Sequence, residues 1–249
     1  MKAPYIGEFK VHSYDTDSHA KMSLQSMVKY FMETSIDHSE STGHTIERLL
    51  SENRGWVVLN WIIKFFDYPR FKDIIKTSTW TKGGNKLQAT RFFVMENEGE
   101  VVAEAATRWA FLDLETRHPV RFSEEVEELY SLDKEPPFDP GKYTMPDENK
   151  GDAISSRIIT VRRSETDTNN HVNNIKYIEW AVDDIPEEIY ENWNCKELRV
   201  LYRKECKMND NVIITSYLME DDEKTIVTIM KDMNENILCK VSTCWKERN

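Results

Sequence analysis

Apolar and polar positions alternate in two different rhythms along this chain. Residues 6–12 (IGEFKVH) suggest a first strand, and the polar loop SYDTDSHAKMS follows. Leu24, Met27, Val28 and Phe31 then fall at i, i+3, i+4 and i+7, the spacing of one helix face. A second, shorter helix is expected from Thr45 to about Asn53, with Thr45 as its N-cap. From Gly55 the rhythm changes. GWVVLNWIIKFF, DIIKTSTWTK, LQATRFFVMEN and EVVAEAATRWAFLDL are rich in β-branched and aromatic residues, the composition of strands. Turn-forming residues separate them, among them Lys82-Gly-Gly-Asn85 and Asn97-Glu-Gly-Glu100.

Residues 131–153 interrupt this order. They hold four of the eight prolines, Pro136, Pro137, Pro140 and Pro146, together with many charges, and read as an interdomain linker. The expected organisation is an N-terminal domain over 1–130, the linker, and a C-terminal domain over 154–249. The second domain repeats the first. Val11, Thr16 and Asp17 match Val161, Thr166 and Asp167 at a shift of 150. Lys29-Tyr30 matches Lys176-Tyr177 at 147, Thr77-Ser78 matches Thr215-Ser216 at 138, and Thr107 and Trp109 match Thr243 and Trp245 at 136. The conserved order and the falling shift indicate a tandem duplication with shorter loops in the second copy. There, Val172, Ile175, Ile178, Val182 and Ile185 mark the buried face of a helix ending near Pro186. Strands follow at KELRVLYRKEC, NVIITSYLME, TIVTIMKDM and ILCKVSTCWKE, with turns at Asp221-Asp222 and Asn234-Glu-Asn236.

Composition narrows the function classes. The 249 residues suffice for one large or two ordinary domains, and 39% hydrophobic with 31% charged residues is a globular balance. A net charge of -11 gives no global attraction for nucleic acid or anionic membranes. The N-terminus lacks the apolar core of a secretory signal, and no stretch approaches the length of a transmembrane helix. Cys195, Cys206, Cys239 and Cys244 all lie in the last quarter without a C-x-x-C pair, which argues against a zinc site or a disulfide framework and for a reducing cytoplasm.

The chemistry concentrates in Glu165-Thr-Asp-Thr-Asn-Asn-His-Val-Asn-Asn-Ile-Lys-Tyr-Ile-Glu-Trp180. If extended, Asp167, Asn169 and His171 would project from one edge, just ahead of a helix N-terminus whose N–H groups lack partners. An acid, an amide and an imidazole there could hold a carbonyl that develops negative charge. The bland reading is that Asp167 and Asn169 cap the helix and His171 is structural.

DTNNHVNNIKYIEW resembles the signature of hotdog thioesterases. With Tyr202-Arg-Lys-Glu-Cys206 the resemblance narrows to the plant and bacterial acyl-acyl carrier protein (ACP) thioesterases. Tyr14-Asp-Thr-Asp17, Gly55-Trp56-Val57 and Thr77-Ser-Thr-Trp80 resemble that family's N-terminal half. The resemblance implies an α+β double hotdog, each half a long helix wrapped by a curled antiparallel sheet. It implies hydrolysis of fatty acyl-ACP to fatty acid and ACP, which ends elongation, with no metal or organic cofactor. The catalytic set it implies is Asp167, Asn169, His171 and Glu205, with Cys206 a candidate nucleophile. Plant members carry an N-terminal transit segment without counterpart here, so the bacterial type is expected.

Glu205 and Cys206 are neighbours in an expected strand, so only a strand end or bulge lets both serve one site. Glu205 is preferred as the base, and the alternative reading of Cys206 is a small buried hydrophobe. In the first copy, Asp17 and Asp67 take places like those of Asp167 and Glu205, without an Asn-His pair, so one active site per chain is expected. The N-terminal half would hold the acyl chain, with Trp56, Trp61, Phe65, Phe66 and Phe92 as candidate lining residues; the alternative is that they form its core. ACP is acidic, as is this chain, so docking needs local positive charge. Arg199, Arg203, Lys204 and Lys207 form one candidate patch, and Lys72, Lys76, Lys82 and Lys86 another; solvated strand and turn charges are the alternative. Acyl-CoA hydrolysis and non-catalytic acyl binding are the competing functions, and a monomer or a homodimer fits the tandem halves.

Overall fold

The computed structural model describes residues 3–167, 169–220 and 224–248. The chain divides into two compact units, one ending at Gly141 and one beginning at Lys142. In the first, the chain runs β1 (Tyr5–Lys10), α1 (Leu24–Ser41), α2 (Ile46–Ser51), β2 (Arg54–Phe65), β3 (Ile74–Asn85), β4 (Gln88–Asn97), β5 (Glu100–Asp113) and α3 (Glu124–Tyr130). Its strands form an antiparallel order β1-β3-β4-β5-β2. The second unit runs β6 (Gly151–Thr160), α4 (Asn174–Val182), α5 (Glu187–Asn192), β7 (Trp193–Tyr202), β8 (Asn211–Met219), β9 (Lys224–Asp232) and β10 (Ile237–Glu247). Its antiparallel order is β6-β8-β9-β10-β7, the same succession as in the first unit.

Helix α1 forms where the apolar spacing placed it. Ser23 caps it, accepting the Ser26 N–H at 3.3 Å. Leu24, Met27, Val28 and Phe31 are buried, each contributing roughly 1.5–3 kcal/mol. Phe31 packs on Trp61 and Phe93, with ring centroids 6.3 and 5.2 Å away. In the second unit α4 has 9 residues and is shorter than the stretch from Val172 to Ile185 that the hydrophobic spacing marks. Val172 and Ile185 are buried but lie outside it. The chain turns at Asp183 because Asp184 is held by Arg157 at 2.7 Å and by the Ser216 hydroxyl at 3.2 Å. Pro186 then opens α5.

Two short helices escaped the sequence reading. Helix α3 follows the Ser123 cap with three acids in its first turn, and α5 follows Pro186 with Glu187 and Glu188. Both carry helix-start signals. The two turns expected between strands of the first unit have different outcomes. Glu98 and Gly99 form the turn expected at residues 97–100, both with positive φ. Lys82-Gly-Gly-Asn85 is instead a strand irregularity, and the reversal comes at Lys86 and Leu87, whose side is fixed by Asn85 Oδ1 accepting from the Leu87 and Gln88 N–H groups. Gly84 has φ +124°, and a Cβ there would lie 2.3 Å from the Gln88 carbonyl oxygen. The turn expected around Asn234 forms, with Asp232 Oδ1 accepting from the Asn234 and Asn236 N–H groups. Asp221-Asp222 lies outside the described residues.

The stretch expected to be a linker is not a loose tether. Leu132 and Phe138 pack over Trp80, Phe92 and Ala106, on the sheet face opposite the one that meets α1. Lys134 lies over the Trp80 ring and Lys64 over Phe138. The last three residues of the stretch, Gly151 to Ala153, belong to β6. The uncovered aromatic face of β3 and β4 explains why a proline-rich segment is ordered here.

Internal hydrogen bonds sharpen the duplication. Ser23 and Asn173 cap α1 and α4, which keeps the shift of 150 into the helices. Tyr30 donates to Asp15, and Trp180 donates to Glu165. Tyr30 therefore matches Trp180, not Tyr177. Gly7 faces Thr77 as Arg157 faces Ile214, so Thr77-Ser78 matches Ile214-Thr215 rather than Thr215-Ser216. A one-residue slip in a strand exchanges its two faces, which chance identity of Thr-Ser could not reveal.

Candidate active site

Asp167 to His171 is not an extended edge. It is a tight reversal in which the Asp167 N–H donates to the His171 carbonyl at 2.8 Å and Thr166 pairs with Val172. Asp167 Oδ1 accepts from the Asn169 N–H at 2.8 Å and the His171 N–H at 3.2 Å. Asn170 takes φ +60°, a left-handed conformation that asparagine tolerates. A carboxylate that gathers two backbone N–H groups holds this turn shut. The capping alternative for Asp167 and Asn169 fails, because α4 is capped by Asn173, whose Oδ1 accepts from Ile175 N at 3.0 Å.

The second half of the site arrives from the end of β7. That strand stops at Tyr202, so residues 203–206 are irregular and Glu205 and Cys206 are not in a strand as expected. Arg203 and Lys204 both donate to the Leu238 carbonyl, which ends the regular ladder. Val172 N–H then donates to the Cys206 carbonyl at 2.8 Å, and His171 bridges Lys207. These backbone contacts bring His171 Nε2 to 3.4 Å from Glu205 Oε2. Their side chains are 21% and 41% exposed, so the pair is open to water. Asn169 is exposed on the same turn.

Cys206 is different. It is 3% exposed, and its sulfur lies 3.1 Å from the Tyr177 hydroxyl. Burial pushes its thiol up to about 11, so only roughly one thiol in ten thousand is ionised at neutral pH. That is the setting of a small hydrophobe with one polar neighbour.

The first unit contains the same turn with other side chains. Asp17 Oδ1 accepts from the His19 and Lys21 N–H groups, Ala20 has φ +58°, and Lys21 bridges Arg70. Met22 N–H donates to the Pro69 carbonyl as Val172 N–H does to Cys206. His19, Lys21, Tyr68 and Pro69 thus stand where Asn169, His171, Glu205 and Cys206 stand. Asp67 is not the counterpart of Glu205, as the sequence shift suggested; the true counterpart is Tyr68. The carboxylate–imidazole pair is present in the second copy and replaced in the first.

The other sequence candidates scatter. Trp61 and Phe65 are buried, and Trp61 meets α1 through Phe31. Phe92 lies on the opposite face under Leu132 and Phe138. Trp56 packs with Phe111 and Phe122 beside Leu49 of α2, and Phe66 is 57% exposed. These five do not form one lining. Among the cations, Lys204 is tied to Asp232 at 2.7 Å, and Arg199 to Glu197 and the Thr144 carbonyl. Arg203 and Lys207 are exposed. Lys76, Lys82 and Lys86 pair with Glu8, with Asp133 and Glu135, and with Glu124, and Lys72 lies over the Phe71 ring.

The acyl-ACP thioesterase N-terminal domain model matches residues 2–130, and the C-terminal domain model matches residues 148–247. The chain belongs to the acyl-ACP thioesterase family. An acyl-[acyl-carrier-protein] hydrolase of Cuphea viscosissima is 28% identical over 97% of this chain and 62% of its own length. The chain thus spans about six-tenths of that relative. A putative oleoyl thioesterase from Lactobacillus plantarum superposes with a TM-score of 0.87 at 21% identity, covering 99% of this chain and 97% of the other. The 12:0-ACP thioesterase of Umbellularia californica gives 0.84 at 19%, covering 98% and 97%. The double-hotdog α+β fold of this acyl-ACP thioesterase family member follows from these likenesses together with the repeated strand order. No helix among the described residues is long and apolar enough to cross a membrane.

Proposed function

We propose that this chain hydrolyses the thioester of fatty acyl-ACP to a free fatty acid and ACP. The observation that carries the reading is the His171–Glu205 contact at 3.4 Å, beside a turn that Asp167 locks and Asn169 tops. Thioester hydrolysis needs an activated water and a stabilised oxyanion. Glu205 takes a proton from water, directly or through His171, as the water oxygen bonds to the thioester carbon. The Asn169 amide N–H donates to the oxyanion. The carbon–sulfur bond then breaks, and the leaving thiolate takes up a proton held by His171 or Glu205. Asp167 positions Asn169 and His171 through their backbone N–H groups. Cys206 stays a buried packing residue, so no acyl-enzyme forms.

The N-terminal half holds the acyl chain in this reading, with Trp61 on the face that meets α1 as the best-placed of the aromatic candidates. Arg203 and Lys207, flanking Glu205 in sequence, offer the positive charge that an acidic carrier protein requires. Family membership and the names of the relatives support an ACP handle; an acyl-CoA handle is the competing reading. Purified chain should release fatty acid from acyl-ACP across several chain lengths with kcat/KM at least tenfold above the matching acyl-CoA. Equal or faster acyl-CoA hydrolysis would reject the ACP assignment.

A further inference from the structure

Arg91 on β4 is a buried cation whose side-chain contacts among the described residues are to His38, Thr79 and Tyr130. It is 7% exposed, and its side chain shares the α1-facing side of the sheet with Phe93 and Met95. One guanidinium nitrogen, Nη1, donates both to His38 Nδ1 at 3.1 Å and to Thr79 Oγ1 at 3.3 Å. The guanidinium lies over the Tyr130 ring, 5.1 Å from its centroid. Tyr130 in turn bonds His44 Nδ1 at 2.9 Å and Ser39 at 3.2 Å, and His38 stacks on Tyr5. Burial and the nearby guanidinium push His38 down to about 4, so it accepts the Arg91 N–H as a neutral ring. Burial lowers Arg91 to about 10, which leaves it charged at neutral pH. Among the described residues no Asp or Glu lies within ion-pair distance of it.

A guanidinium offers five N–H donors in a planar fork that matches a carboxylate. Two hydrogen bonds from a single nitrogen and one aromatic face leave most of that fork unused, and burying an uncompensated charge is costly. We propose that Arg91 is the centre of a carboxylate-binding site inside the N-terminal unit, framed by His38, Thr79 and Tyr130. Phe31, Trp61 and Phe93 line the same sheet–helix layer, so a carboxylate carrying an alkyl chain matches both halves of the surroundings. The proposed hydrolysis enters only as a source, since its product is such a carboxylate. Binding is measured without any thioester, so failure of one reading leaves the other to be judged separately.

The test titrates decanoate, decanol and acetate against the full chain by calorimetry and thermal unfolding, with Arg91→Met and Arg91→Lys alongside. Decanoate is expected to bind at least tenfold more tightly than decanol. Arg91→Met should remove that preference and, without ligand, raise Tm by about 3 °C because an unpaired buried charge is gone. Arg91→Lys, which keeps charge but loses the fork, should weaken decanoate and leave decanol unaffected. Acetate as tight as decanoate would identify a small anion as the natural ligand; weaker acetate would identify a fatty acid. Equal decanoate and decanol affinities, unchanged decanoate binding in Arg91→Met, or a lower Tm or failed folding of that variant would overturn the proposal.

Discussion

Asp167, Asn169 and His171 work as one unit because a single carboxylate oxygen fixes the backbone of the other two. Replacing Asp167 by Ala should therefore lower kcat by about 100-fold while leaving KM within a few-fold, as expected when orientation rather than binding is lost. Steady-state kinetics on acyl-ACP checks this; an unchanged kcat would show that the turn holds without its carboxylate. At Cys206 the relevant chemistry is protonation. Its folded-state thiol titrates near 11 rather than the ordinary 9, so the folded protein keeps a proton that the unfolded chain loses. Stability should then fall as pH rises from 9 to 11, and Cys206→Ala should flatten that part of the curve. Denaturant unfolding at pH 8, 10 and 11 measures it. His38 has the opposite sign. Its folded value near 4 means the unfolded chain binds the extra proton, so its contribution is lost as pH falls from 6.5 toward 4. His38→Gln should lose less stability than the parent across that window.

The turn ahead of α4 and the segment after β7 together form the candidate site, and the anchors of the turn and of α4 are local. Asn173→Ala removes the α4 cap and should cost about 1 kcal/mol, read as a lower denaturation midpoint. Asp184→Ala removes the 6%-exposed carboxylate that holds Arg157 and should cost roughly 3 kcal/mol. Elements of this kind show what a sequence can and cannot carry. The α1 face and the Glu98-Gly99 turn were legible because spacing and turn chemistry act locally, whereas the Asp167-to-His171 stretch, expected to be extended, is a turn closed by the Asp167 carboxylate. The pairing of His171 with Glu205 rests on the Val172–Cys206 hydrogen bond, a long-range contact that only the family resemblance anticipated. The strand end at Tyr202 was missed because it is set by the Arg203 and Lys204 N–H groups both donating to the Leu238 carbonyl, a long-range contact that local composition does not encode. The counterpart of Glu205 in the first copy was misassigned by one residue, since Asp67 offered the right chemistry and Tyr68 the right position.

The molecule as a whole carries -11, and an acidic carrier protein would meet it against that charge. In the proposed reading docking falls to exposed cations, and Arg203 and Lys207 fit better than Arg199 or Lys204, which are engaged by Glu197 and Asp232. Arg203→Glu with Lys207→Glu should raise KM for acyl-ACP about tenfold or more and weaken its dependence on salt. The duplication also acquires a meaning at this scale. Both units keep the Asp-anchored turn, the capped helix and the strand order, while only the second keeps the acid–imidazole pair. The central claim is that water, activated by that pair, attacks the thioester without a covalent cysteine intermediate. Turnover of acyl-ACP by Glu205→Gln and Cys206→Ala, compared under identical conditions, tests it most directly. The account predicts a loss of about 100-fold or more for Glu205→Gln and activity within about threefold of the parent for Cys206→Ala. Near-normal turnover without the glutamate, or collapse of turnover in a folded Cys206→Ala protein, would contradict it.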